Sequence, residues 1–135
     1  MREIADRFCA QVGCVLLTVT RVEPEHRTTV IRVWSSHPAV YPLHASKPLD
    51  NDDWMAIVTQ RRPVVCNQPA ELDALFPADA ECLQSLGCGA GINLPVFDGD
   101  VLLGSVNAFH QAGWFTPERV ARAEALAAEF FRNTP

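Results

Sequence analysis

The chain has 135 residues, 48% of them hydrophobic and 20% charged, with a formal net charge of −5. That length makes one domain, residues 1–135, with one real core, and the acidic balance argues against nucleic acid because like charges repel. No apolar run approaches the ~18 residues of a membrane helix. The charged start Met1-Arg2-Glu3-Ile4-Ala5-Asp6-Arg7 has no secretory apolar core, and five cysteines without a C-x-x-C pair argue against a disulfide framework and for a reducing cytoplasm.

Residues 2–11 carry Ile4, Ala5, Phe8 and Cys9 at one-stripe helical spacing, ended by Val12-Gly13. Val15 to Val22 is a β-branched run that suits a buried strand. Glu23 to Arg27 is a polar turn, and Thr28 to Ser35 alternates as a second strand, antiparallel because the link is short. In that strand Thr29, Ile31 and Val33 share one face, and Val30, Arg32 and Trp34 the other. Residues 37–48 hold three prolines without a period and read as a loop.

Leu49 to Arg62 reads as a helix. Asp50 or Asn51 caps it, Asp52 and Asp53 sit at its positive end, Trp54, Met55, Ile57 and Val58 form its stripe, and Pro63 stops it. Val64 to Cys66 is a short strand. Glu71 to Leu86 is broken by Pro77 into two short helices, or a helix and a turn. Gly91–Phe97 and Val101–Phe109 form a hairpin around Asp98-Gly99. Thr116-Pro117 caps a final helix whose Val120, Ala123, Leu126, Ala127 and Phe130 repeat at helical spacing. Antiparallel strands with helices inserted between pairs predict an α+β fold, one sheet covered on its faces.

Three pieces in this order carry a family resemblance: Thr59-Gln60-Arg61-Arg62-Pro63-Val64-Val65, Gly104-Ser105-Val106-Asn107-Ala108-Phe109 and Phe115-Thr116-Pro117-Glu118. They resemble the helix-end strand, the glycine-led strand and the final-helix cap of GAF domains, and the resemblance covers nearly the whole chain. It implies a GAF/PAS-like fold, with a mostly antiparallel sheet of five to six strands, terminal helices on one face and inserted helices and loops over the other. It also implies a sensory or regulatory module, here expected in the cytoplasm and, unlike the usual member beside a kinase or DNA-binding domain, without an output domain of its own. Such a module binds a small organic ligand between the sheet and the 37–60 loop and helix.

The cyclic-nucleotide signature of the family is missing, since Gln68 follows Asn67 and Pro77-Ala78-Asp79-Ala80 follows Phe76. The bilin-binding Cys-His pair is missing too. A family subset reduces free methionine sulfoxide with cysteines. That makes a thiol-dependent reductase using Cys66, Cys82 or Cys88 the alternative, although their local contexts match poorly.

Candidate pocket residues are the large amphipathic Trp34, Tyr41 and Trp54, together with His44, Asp53 and Cys66. Polar Asn93, Ser105 and Asn107 join them because a buried amide or hydroxyl inside an apolar strand needs a partner. Register decides whether those three share a face. A two-residue Asp98-Gly99 turn puts Asn93 opposite the other two, and one extra residue unites them.

Cys88, between glycines, reads either as an accessible thiol or as a small apolar residue. His37, His44 and His110 read as solvated loop histidines, and no metal is expected. The apolar girth of the last helix, with Phe130 and Phe131, predicts pairing of the terminal helices in a homodimer, or the docking there of a separate signalling protein.

Overall fold

A computed structural model describes residues 1–25, 29–48 and 60–132. Its strands are β1 (Leu16–Val22), β2 (Thr29–Ser35), β3 (Ser46–Pro48), β4 (Val64–Cys66), β5 (Ala90–Asp98) and β6 (Val101–His110). Its helices are α1 (Arg2–Gln11), α2 (Pro69–Leu75), α3 (Ala80–Ser85) and α4 (Pro117–Ala127), and α4 continues as a 3-10 turn over Ala128–Phe131. The strands make one six-stranded sheet in the order β3-β2-β1-β6-β5-β4. Every pairing in it is antiparallel.

The sheet has two unlike faces. On one, Leu17 and Val19 of β1, Val106 and Ala108 of β6, and Ile92 and Leu94 of β5 pack under Ala5 and Phe8 of α1 and Ala123, Leu126 and Ala127 of α4. Period-two alternation puts the other side of the same strands toward α2 and α3, where a smaller cluster forms from Leu16, Tyr41, Cys66, Leu72, Leu83, Cys88 and Phe109. Local chemistry sets the ends of these helices. The Thr116 hydroxyl accepts a hydrogen bond from the Arg119 N–H at 3.3 Å, with Pro117 at the first helical position. Gly13 leaves α1 at φ 86°. The break at Pro77 does divide 71–86, into α2, a 3-10 turn over Pro77–Asp79, and α3.

Five expectations change. Residues 37–48 are not all loop, because Ser46–Pro48 pairs with β2 as an edge strand. The hairpin turns on Gly99-Asp100, since Asp98 already pairs with Val101. Cys9 and Cys14 are disulfide-bonded across the end of α1, so not every cysteine is a free thiol.

Trp34 lies on the helix face rather than with Arg32. A bulge at Val33 shifts the β1–β2 register, so that Val19 faces Trp34 while Thr20 faces Arg32. Val33 and Trp34 then both pack against the α1–α4 core.

Finally, Phe130 and Phe131 are 2% and 8% exposed, buried inside the chain itself. Gly104 makes room for one of them, since a Cβ there would lie 2.8 Å from the Phe131 ring and 2.1 Å from the Thr20 carbonyl oxygen. These two rings are therefore packed inside the chain and do not form the exposed apolar surface expected of them. Of the expected helix at 49–62, only the end is described: Gln60 is helical and Arg61 takes φ 55°. Asp50 to Val58, including Asp53 and Trp54, lie outside the described residues.

Candidate functional site

On the face of the sheet away from the terminal helices, two polar rows run across the strands. Thr18 of β1 stands opposite Asn107 of β6, which stands opposite Asn93 of β5. One pleat further on, Thr20 stands opposite Ser105. On its other side Thr20 stands opposite Arg32 of β2. The three polar residues whose shared face depended on register are therefore together. The turn alone would not have achieved this. A shift between Val96 and Phe97 gives β6 one extra residue, Leu103, and that residue restores the parity.

The rows bond internally. The Asn93 amide N–H donates to the Asn107 side-chain oxygen, and the Asn107 amide N–H donates to the Thr18 hydroxyl at 3.3 Å. The hydroxyls of Thr20 and Ser105 are hydrogen-bonded at 2.7 Å. These groups form the polar floor of a cavity of about 320 Å³, a size typical of small-molecule sites.

One wall is the segment after β2, with Tyr41, Ala45, Ser46 and Pro48; the other is Leu75 to Asp79, with Phe109 at one end. The first wall is held to β2 by its backbone: the Arg32 N–H donates to the Ala45 carbonyl, and the His44 N–H to the Arg32 carbonyl, both at 2.9 Å. The Tyr41 N–H bonds the His37 carbonyl at 2.8 Å, which folds the ring inward.

Arg32 is the residue that sequence reading missed. Its guanidinium lies 5.1 Å from the Tyr41 ring centroid, and one terminal N–H donates to the Pro42 carbonyl at 3.1 Å. The alternation of Thr29 to Ser35 only places Arg32 on a face with Val30 and Trp34; its pairing with Thr20 puts it over the polar floor. Thr18, Thr20, Phe76 and Asp79 also line the cavity and were not singled out. Burial first, then the negative charge of Asp79, pushes the Tyr41 phenol well above its ordinary pKa, so it stays protonated and can donate.

Among the described residues, three buried polar atoms around this cavity lack a hydrogen-bond partner: Arg32 Nε, Tyr41 OH and Asn93 Oδ1.

The remaining candidates lie elsewhere. His44 sits beside the wall in a left-handed turn, φ 67°, with its side chain exposed. Cys66 and Cys88 are buried in the cluster around Leu72, Leu83 and Phe109 rather than lining the cavity, while Cys82 is exposed on α3. Burial pushes the Cys66 and Cys88 thiols up to about 11, with Glu71 adding to the effect at Cys66. Trp34 is held on the far face, its ring 5.4 Å from the Arg2 guanidinium. Among the described residues no group of His, Cys, Asp and Glu side chains could hold a metal. No helix among them is long and apolar enough to cross a membrane.

Asn67 has a structural task. Its amide N–H donates to the Phe115 carbonyl and its oxygen accepts from the Phe115 N–H, both at 2.9 Å, locking the 111–116 loop to the end of β4.

The family profile described as GAF domain matches residues 1–130. The chain belongs to the GAF domain family. Solved structures agree with this GAF domain in fold at low identity. The GAF domain/HD domain protein from Geobacter sulfurreducens superposes with a TM-score of 0.72 at 13% identity, covering 93% of this chain and 83% of that one. The second GAF domain of DevS from Mycobacterium smegmatis gives 0.64 at 17% identity, covering 92% and 82%. The GAF domain of a two-component sensor histidine kinase from Bacillus halodurans gives 0.70 at 13% identity, covering 93% and 84%. No curated protein matches the chain.

Proposed function

We propose that this GAF domain is a sensory module that binds a small organic molecule in the cavity over β1, β5 and β6 and relays its occupancy to a signalling partner. One observation carries the reading: Arg32 Nε, Tyr41 OH and Asn93 Oδ1 are buried around one cavity without partners. A buried polar group left unpaired costs about 1–3 kcal/mol. Three around one space are the pattern expected of a site whose missing partner is a ligand. The apolar walls, including Phe76 and Phe109, supply the nonspecific part of such binding.

The reductase alternative gains no support from the thiols. Cys66 and Cys88 are buried away from the cavity and protonated at neutral pH. A thiol in that state is a poor nucleophile. Pairing of two chains through the terminal helices is not part of the proposal, because the aromatic residues invoked for it are buried.

A thermal-shift screen of metabolites, followed by native mass spectrometry of the hits, tests the reading. A single-site ligand present at 100 times its dissociation constant adds about 2.7 kcal/mol, a shift of several degrees. A hit that Asn93→Leu abolishes supports the cavity as the site. A broad screen without any hit overturns the reading.

A further inference from the structure

Arg32 is 9% exposed, and among the described residues none of the ion pairs involves it. Among the described residues its side-chain hydrogen bond goes to a neutral carbonyl, that of Pro42. A buried cation without an anion is costly, and proteins normally supply the counter-charge. Here the guanidinium borders a cavity, and the acid that lines the same cavity, Asp79, makes no ion pair with it among the described residues.

The second unpartnered donor is close by. Tyr41, 5% exposed, holds its ring under the Arg32 guanidinium at 5.1 Å, and its hydroxyl has no partner. Two donors, one of them cationic, therefore serve the same end of the cavity. Across the floor the unpartnered atom is of the opposite kind: Asn93 Oδ1 is an acceptor, on a side chain 2% exposed. The apolar rings of Phe76 and Phe109 line the same cavity.

We infer that the cavity takes a small carboxylic acid: its carboxylate meets Arg32 Nε and Tyr41 OH, a hydroxyl or amino group of the same molecule donates to Asn93 Oδ1, and its apolar body lies against Phe76 and Phe109. The inference rests on the ligand-binding reading above and narrows it. Arginine is suited to this because its planar fork matches a carboxylate, and such charge-assisted bonds are about twice as strong as neutral ones.

The test uses pairs of probes that differ only in charge: phenyllactate, leucine, benzoate and hydroxyisocaproate against their own primary amides, by thermal shift and calorimetry on the intact chain. The expected result is that one or more acids bind and the matching amide binds at least ~10-fold more weakly, since removing a charged hydrogen-bond partner costs one to two decades of affinity. Arg32→Gln should remove that preference, leaving acid and amide alike. If Arg32→Gln does not fold, Arg32→Lys and Tyr41→Phe serve: each should shrink the preference, with Tyr41→Phe keeping the charge. Amides binding as well as acids, or neutral metabolites binding where no acid does, overturns the carboxylate and leaves the ligand-binding reading standing. No acid, amide or neutral metabolite binding overturns both.

Discussion

Asn93 and Asn107 face each other directly across β5 and β6, and their side-chain amides are hydrogen-bonded to one another in the middle of the sheet. Asn107 is the centre of the row, because it also donates to Thr18. Replacing it with Leu strands the Asn93 donor and the Thr18 hydroxyl in a buried place. We expect Asn107→Leu to lower stability by about 1–3 kcal/mol in urea titrations, the usual cost of an unsatisfied buried polar group. Ser105→Ala, which removes one hydroxyl of a pair, should cost less, about 1 kcal/mol. Equal stability of Asn107→Leu and wild type would show that the row contributes nothing to the fold.

Five of the six strands, both terminal helices and the caps were legible because each rests on a local pattern: the Val15–Val22 run, Thr116-Pro117 before an apolar stripe, Gly13 after one. The three-residue β3 was not, because its Ser46–Pro48 lies in a proline-rich stretch without a period. The candidate site was half legible. Tyr41, Asn93, Ser105 and Asn107 line the cavity. What failed was parity. A bulge at Val33 moves Trp34 to the helix face while Arg32 stays over the cavity, and nothing in the alternation of Thr29 to Ser35 announces it. The extra Leu103 in β6 acts in the opposite direction, bringing Asn93 onto the face of Asn107. Phe131 was misjudged for a third reason. Its burial depends on the absence of a side chain at Gly104, a contact between residues far apart in sequence.

That contact gives a second prediction. A methyl group at Gly104 would meet the Phe131 ring and the Thr20 carbonyl closer than atoms approach. Backbone on one side cannot move cheaply. Gly104→Ala should cost at least the roughly 1–3 kcal/mol of an overpacked core, read as a drop in the chemical midpoint of unfolding. Combining it with Phe131→Ala, which empties part of the space, should cost less than the sum of the two single changes. Strict additivity would contradict the packing.

Phe130 makes a related case. It is fully buried, with its ring 6.1 Å from that of Phe8 of α1. Phe130→Ala should destabilise by about 3–5 kcal/mol, as for other buried aromatics. Phe130→Asp should leave no folded chain by circular dichroism. A folded, soluble Phe130→Asp protein would place that side chain on a surface instead.

His110 predicts a pH dependence. Its ring stacks on Trp114 at 3.7 Å between centroids, and the Arg119 guanidinium lies 3.9 Å from the same indole. Burial, then the positive charge of Arg119, lowers its pKa below the ordinary imidazole value. The unfolded chain therefore binds a proton at a pH where the folded chain does not. By linkage, the stabilising contribution is complete above the unfolded pKa of about 6.5 and is lost as pH falls through the folded value. Urea titrations between pH 7.5 and 5.5 should show stability declining toward acid, with a shallower decline in His110→Gln. The same slope in both proteins would remove His110 as the cause.

The cysteines give the sharpest count. Cys9 and Cys14 are joined, Cys66 and Cys88 are buried, and Cys82 alone is exposed among the free thiols. With the buried thiols pushed up to about 11, only ~10⁻⁴ of each is ionised at pH 7. A thiol reagent such as Ellman's should therefore titrate one group quickly in the native, unreduced chain, and Cys82→Ser should abolish that fast phase. Unfolding without reductant should raise the count to three, and reduction before unfolding to five, matching the free and paired cysteines. Fast native reaction at Cys66 or Cys88 would mean that a thiolate is available there after all, and would return the reductase reading to contention.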